Sequence, residues 1–233
     1  MTDSHQMFRI LMQAFLLHLP RSAWGDIRRL VTLAWAVVGL CLSKKASLSS
    51  WGEAVESQAQ QAASRTRRFQ RWVDNVHIQV QALYVPLVRA ALTDWKPNGR
   101  VYVALDVSVI KGSPFVLIRV SLIYRGRAIP LAWRVLRHAS ATVGYTGYVL
   151  VLDEALACLP PGLDVVFMAD RGFVHEELFK WLQLHHWHYR IRLTGDTLLH
   201  LPGRQVVPVG KLVPPKGAAH FYHDVRLLGI AFG

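Results

Sequence analysis

The sequence predicts an α/β (α+β) chain, with a helical N-terminal part followed by a mixed sheet. Three observations predict it. Apolar residues recur at helical spacing from residue 7 to residue 95, and from residue 101 they give way to short alternating or continuous runs typical of strands. Between the two lies Lys96-Pro97-Asn98-Gly99-Arg100, the clearest break in the chain. The expected division is therefore 1–96 helical, 101–196 a sheet-based core, and 197–233 a further β-rich segment.

At 233 residues and 52% hydrophobic content the chain has ample material for a core, which excludes disorder. The 27 Lys and Arg against 15 Asp and Glu give a net charge of +12. Both parts share it: residues 1–100 carry 13 basic against 6 acidic side chains, and residues 101–233 carry 14 against 9. Such an excess favours a polyanionic partner, because each Lys or Arg placed on a phosphate releases a condensed counterion. Nucleic acid is the first candidate and an anionic membrane surface the second.

The longest apolar run, residues 30–42, has 13 residues, short of the roughly 20 that a spanning helix needs. It reads as a buried helix. Arg9, Gln13 and His18 interrupt the apolar segment at 7–19 and no small-residue cleavage site follows, so no export signal is expected and the cytoplasm is the expected location. Cys41 and Cys158, each among apolar neighbours, read as two buried thiols of a reducing compartment. Without a CxxC or a paired His/Cys spacing, no structural zinc is expected.

Within the helical part, a turn at 43–47 precedes a helix beginning near Trp51, capped by Ser49 or Ser50 with Glu53 in its first turn. Residues 64–80 read as one helix, with Phe69, Trp72, Val73, Val76 and Val80 on an apolar face and Arg65, Arg67, Arg68 and Arg71 on the other sides. These arginines are either phosphate contacts of a small DNA-binding domain or a solvated basic face. Residues 83–95 form one more amphipathic helix.

The strands follow at 101–107, 115–124 and 128–136, joined by turns at 111–114 and 125–127, which makes them an antiparallel meander. A helix at 145–159, closed by Pro160-Pro161-Gly162, is long enough to carry the chain back to a fourth strand at 164–168. A helix at 174–186 and a fifth strand at 189–193 complete the order β-β-β-α-β-α-β. That order is the ribonuclease-H-like plan, a mixed sheet in which the fourth strand lies parallel to the first and beside it.

Asp106 interrupts an apolar strand, and an ionised carboxylate there is costly unless something pairs with it. Asp170 ends the fourth strand. Two lone carboxylates on neighbouring strands can hold Mg²⁺ or Mn²⁺ for phosphoryl transfer. Taken separately, Asp106 also suits a carboxylate satisfied by backbone N–H groups or an Arg, and Asp170 suits a helix cap ahead of Gly172-Phe173. Arg171, Arg190 and Arg192 are either phosphate contacts beside the ion or caps on strand ends.

Leu105-Asp106-Val107-Ser108, Ala169-Asp170-Arg171-Gly172-Phe173, Tyr189-Arg190-Ile191-Arg192 and the stretch SRTRRFQRWVDN at 64–75 resemble the DDE transposases of bacterial insertion sequences. The similarity is to the cut-and-paste branch whose ribonuclease-H-like core is interrupted by a β-rich insertion, and it covers residues 48–196. It implies Asp106 and Asp170 as catalytic metal ligands and Mg²⁺ or Mn²⁺ as cofactor. The implied partners are double-stranded DNA, as element ends and target, and a second copy of the chain in a homodimer. The implied setting is the bacterial nucleoid, with no membrane. That family's third ligand is a glutamate in a Y-x2-R-x3-E-x6-K motif, and no such motif follows Asp170. The resemblance therefore implies a truncated or frameshifted transposase, with 197–233 as the opening of the insertion and its strand edges at 206–230 unpaired. Two alternatives stay open. One is a non-catalytic DNA-binding fragment that inhibits an intact copy. The other is a ribonuclease-H-like nuclease using Asp106, Glu154 and Asp170, although Glu154 also reads as a solvated helix carboxylate.

Overall fold

The computed structural model describes residues 3–56, 61–93, 100–138, 140 and 142–232, in two compact units, 1–94 and 95–233. The expected break at 96–99, the end of the 83–95 helix and part of the polar stretch before residue 61 lie outside the described residues.

The first unit contains helices α1 (Asp3–His18), α2 (Arg21–Trp24), α3 (Ile27–Ser43), α4 (Leu48–Ala54), α5 (Ala62–Val73) and α6 (Val80–Thr93). The Asp26 carboxylate caps α3 by accepting the Arg28 N–H at 2.9 Å, and Lys44, in the left-handed conformation, closes it by donating to the Leu40 carbonyl. Leu30, Ala34 and Val38 of α3 are fully buried. One cluster gathers Phe15, Leu19 and Leu83 around Leu30 and Ala34, and a second gathers Val55 and Phe69 around Trp35 and Val38. The apolar run at 30–42 is thus a core helix. Among the described residues no single helix is long and apolar enough to cross a membrane.

Three expectations change here. The helix expected at 64–80 ends at Val73, and after a turn at 74–79 Val80 opens α6. Asn75 accepts the His77 N–H on its side-chain carbonyl at 3.0 Å, and this local turn ends the run that the valines would otherwise extend. Phe69 is buried, and Trp72 anchors α5 by donating its indole N–H to the Arg29 carbonyl at 2.8 Å, whereas Val73, Val76 and Val80 are exposed. The α4 helix starts at Leu48 rather than Trp51, with Ser47 at the cap position and its hydroxyl 2.9 Å from that of Ser49. Cys41 is exposed at the end of α3, and only Cys158 is a buried thiol.

The second unit begins with β1 (Val101–Val109), β2 (Phe115–Tyr124) and β3 (Arg127–Arg137), followed by α7 (Tyr145–Cys158), β4 (Val165–Ala169), α8 (Glu176–Leu184) and β5 (His188–Ile191). The five strands form one mixed sheet in the order β3-β2-β1-β4-β5. The β1–β2 and β2–β3 pairs are antiparallel, and β4 is parallel to both β1 and β5. Every expected element of this part is present with bounds within two residues. Val101, Val103 and Leu105 of β1, Val116, Ile118 and Val120 of β2, and Val165 and Phe167 of β4 are buried. The α7 residues Tyr148, Val151, Leu152 and Ala155 are buried with them, as are Leu178 and Leu182 of α8.

Residues 198–232 make a second sheet from β6 (Leu198–His200), β7 (Val206–Pro208), β8 (Val225–Leu227) and β9 (Ile230–Phe232), in the order β7-β6-β8-β9. Strand character was expected at 206–213 and 221–230, but the strands are shorter. The stretch between β7 and β8 carries two prolines and no strand. Among the described residues the outer strands β7 and β9 each pair on one side only, so the expected open edges are present, while the apolar face of β8 and β9 is covered. Leu227, Ile230 and Phe232 pack on Phe179 of α8 and on Tyr189 and Ile191 of β5, so the segment covers the outer end of the first sheet.

Candidate functional site

Along β1 the burial alternates, and Asp106 falls on the face opposite Val103 and Leu105, exposed near the C-terminal end of the strand. Each β1 residue pairs with the β4 residue 64 positions on, Val101 with Val165 through Ala104 with Met168. Continued two residues further, this register sets Asp106 beside Asp170. β5 lies 22 positions beyond β4, as Met168 with Arg190 shows, so Arg192 comes next to Asp170, and its N–H donates to the Ala169 carbonyl at 3.2 Å. On the other side Arg119 of β2 opposes Asp106, and Trp133 of β3 opposes Arg119. One row thus runs Trp133, Arg119, Asp106, Asp170, Arg192, with its last two members one residue past the ends of β4 and β5. With neighbouring strands about 4.8 Å apart, the extended register puts the two aspartate positions next to each other.

Each carboxylate is held by one oxygen. Asp106 Oδ2 accepts the Ser108 hydroxyl at 2.8 Å and lies 3.6 Å from Arg119 Nη2. Asp170 Oδ1 accepts the Gly172 N–H at 2.8 Å, which caps the short 3₁₀ turn Arg171–Phe173. Asp170 is therefore a cap and a candidate ligand at once. Asp106 Oδ1 and Asp170 Oδ2 have no partner among the described residues. Two hard oxygens on adjacent strand positions fit Mg²⁺ or Mn²⁺, ions that need few protein carboxylates when waters and substrate phosphates complete the shell. Among the described residues no group of three or more His, Cys, Asp or Glu is arranged to hold a metal ion.

An open cleft of about 500 Å³ adjoins Asp170, lined by Asp170, Arg171, Arg192 and Leu193. Arg190 lies one pair back along β5, with its guanidinium 6.0 Å from the centre of the Tyr102 ring. The turn after Asp170 is fixed from above by Tyr148, in the first turns of α7, whose ring meets Phe173 and His175 edge-on at 5.5 and 5.9 Å. Burial raises the Tyr148 phenol well above its ordinary pKa, so this residue is neutral packing rather than an acid or base.

Glu154 does not join the pair. Its Oε1 accepts Arg134 Nη2 at 2.6 Å, and Arg134 opposes Ile118, on the buried face away from Asp106. It also sits six residues past Tyr148, about 9 Å further along α7 from the Asp170 turn. The helix that approaches the aspartates does so by its N-terminal turn, and Glu154 is beyond it.

The four arginines of α5 divide. Arg67 and Arg71 are exposed and one turn apart on the same side. Arg68 turns inward, where its Nε donates to Thr32 Oγ1 at 3.3 Å, and burial lowers its pKa from the ordinary guanidinium value. Arg65 is half-buried. The basic surface of this helix therefore rests on Arg67 and Arg71.

Ser108, Arg119 and Tyr148 were not among the expected site residues. Arg119 was within reach of the sequence: counting back across the turn at 111–114 opposes it to Asp106. Gly172 is a further sensitive position, because a Cβ there would lie 3.1 Å from Asp170 Oδ1. On the Mn²⁺ site proposed below, Gly172→Ala is expected to displace that carboxylate and weaken Mn²⁺ binding a few-fold with little change in melting temperature, as read by electron paramagnetic resonance of free Mn²⁺ and by circular dichroism. No protein-family model matches the chain, and no curated protein matches it.

Proposed function

We propose that this chain is a metal-dependent DNA-processing protein of the DDE transposase kind, built on a ribonuclease-H-like core. The observation that supports the proposal is the β1–β4 register, Val101 with Val165 through Ala104 with Met168, which when extended by two residues matches Asp106 with Asp170, lone carboxylates 64 residues apart in sequence. In this reading Asp106 Oδ1 and Asp170 Oδ2 hold Mg²⁺ or Mn²⁺. The bound ion supplies Lewis-acid polarisation and neutralises charge on a phosphodiester. Arg171 and Arg192, lining the cleft beside Asp170, orient a phosphate, which guanidinium groups bind in forked geometry. Arg67 and Arg71 contact the backbone of double-stranded DNA. The chemistry served is attack by water, then by a 3′-hydroxyl, on phosphodiesters. A homodimer and a location at the bacterial nucleoid belong to the same proposal.

One observation favours a second reading, a DNA-binding protein without cleavage. No third carboxylate is grouped with the pair among the described residues. The nuclease that would use Glu154 is not proposed, because Glu154 Oε1 pairs with Arg134 on the sheet face opposite Asp106.

Duplex binding followed by fluorescence anisotropy over a range of salt, with and without Mn²⁺, tests both readings. Affinity should fall steeply with salt, and Arg67→Ala or Arg71→Ala should flatten the slope by about one unit each. Mn²⁺ should tighten binding in the natural chain and not in Asp106→Asn. Salt-insensitive binding, or a Mn²⁺ effect that survives Asp106→Asn, would overturn the proposal. Plasmid nicking that needs both aspartates selects the transposase, and Mn²⁺-strengthened binding without nicking selects the second reading.

A further inference from the structure

We infer that Arg119 is a positioning residue that occupies Asp106 until a divalent cation arrives and then turns to the substrate phosphate. The inference rests on the assignment of Asp106 and Asp170 as the cation pair. Arg119 faces Asp106 directly across the β1–β2 ladder, and its Nη2 lies 3.6 Å from Oδ2, on the oxygen that Ser108 also holds at 2.8 Å. Both contacts fall on one oxygen. Oδ1 is thereby left for the cation while the guanidinium neutralises the carboxylate. The charges in the row run Arg119 plus, Asp106 minus, Asp170 minus, Arg192 plus, so the strip is balanced without an ion.

A divalent cation arriving at the pair reverses that balance. It repels the guanidinium, which stands about one-third exposed and is held to Asp106 only at 3.6 Å. Exposed ion pairs of this kind shift an equilibrium by less than about five-fold, so the release costs little. A phosphodiester beside the cation is then the anion nearest to hand, and Arg119 meets it on the β2 side while Arg192 does so on the β5 side. Cation loading and phosphate binding are coupled through this switch, and the coupling acts equally in both directions.

The test is Mn²⁺ binding by the full chain, measured from the resonance of free Mn²⁺, for the natural protein, R119A, R119Q, R119K and D106N, with circular dichroism melts as a check on folding. R119A and R119Q are expected to bind Mn²⁺ about three-fold tighter than the natural chain. R119K should stay near the natural value. With duplex DNA present, R119A should lose part of the Mn²⁺-dependent gain in DNA affinity. Natural binding that depends on Asp106, together with equal or weaker binding in R119A and R119Q, removes the role assigned to Arg119 and leaves the cation pair standing. Natural binding that ignores D106N removes the pair, and the role of Arg119 with it.

Discussion

Asp170→Asn is expected to cost about 100-fold or more in Mn²⁺ affinity while leaving the melting temperature within a degree or two of the natural chain. The magnitude follows from comparison, since changing a residue that merely supports a metal ligand typically costs 10- to 100-fold. The selectivity follows from the two jobs of this side chain. Asp170 Oδ1 caps the Arg171–Phe173 turn through the Gly172 N–H, and an Asn carbonyl caps as well as an Asp carboxylate. What Asn removes is the charge and the second acceptor oxygen. Asp170→Ala is the useful contrast, because it deletes the cap as well and should lower stability by about 1 kcal/mol. If Asp170→Asn kept its Mn²⁺ affinity, Asp170 would be a cap and nothing more.

Gly39→Ala is expected to destabilise the helical unit by about 2 kcal/mol, against the ordinary trend for an interior helical glycine. In a free helix the change would gain about 1 kcal/mol. Here the added Cβ would lie 2.7 Å from Trp51 Cβ, 2.9 Å from its Cα and 3.0 Å from its carbonyl oxygen. Two of those three atoms are backbone, so no rotamer change relieves the clash, and α3 and α4 must separate. Overpacking of this kind costs about 1–3 kcal/mol or more and outweighs the propensity gain. A thermal melt decides it, and an unchanged or raised midpoint would mean that the two helices have room to part.

What was legible in the sequence depended on how local the signal was. The meander and the parallel pairing of β4 with β1 could be read from the short turns at 111–114 and 125–127 and from the helix-length link between β3 and β4. Asp106 and Asp170 stood out because each is a lone charge at an apolar strand. Helix periodicity misled at residues 74–79, where Val76 and Val80 continue the apolar spacing while Asn75, by a single side-chain hydrogen bond, ends the helix. Periodicity reports which faces match, not where the backbone stops. The inward turn of Arg68 was hidden for a related reason, because its partner Thr32 lies 36 residues away on α3. Glu154 was open as a possible third ligand or a solvated helix carboxylate, because a helix carboxylate after three strands suits the plan. Its commitment to Arg134 is a tertiary fact. The small second sheet was half legible, since all four of its strands are only three residues long and its packing on Phe179 has no local signature.

The 64-residue offset between β1 and β4 also governs when the acidic pair comes into being. The first three strands can zip together through turns of a few residues as the chain is made. β1 meanwhile keeps an open parallel edge until Val165–Ala169 arrives, and closing a loop of that length costs about 4 kcal/mol of chain entropy before any contact repays it. Docking of β4 is thus the late, non-local step. An ion that needs both carboxylates has nothing to bind before that step. It can hold the finished sheet together and slow its unfolding, but it cannot hasten its formation.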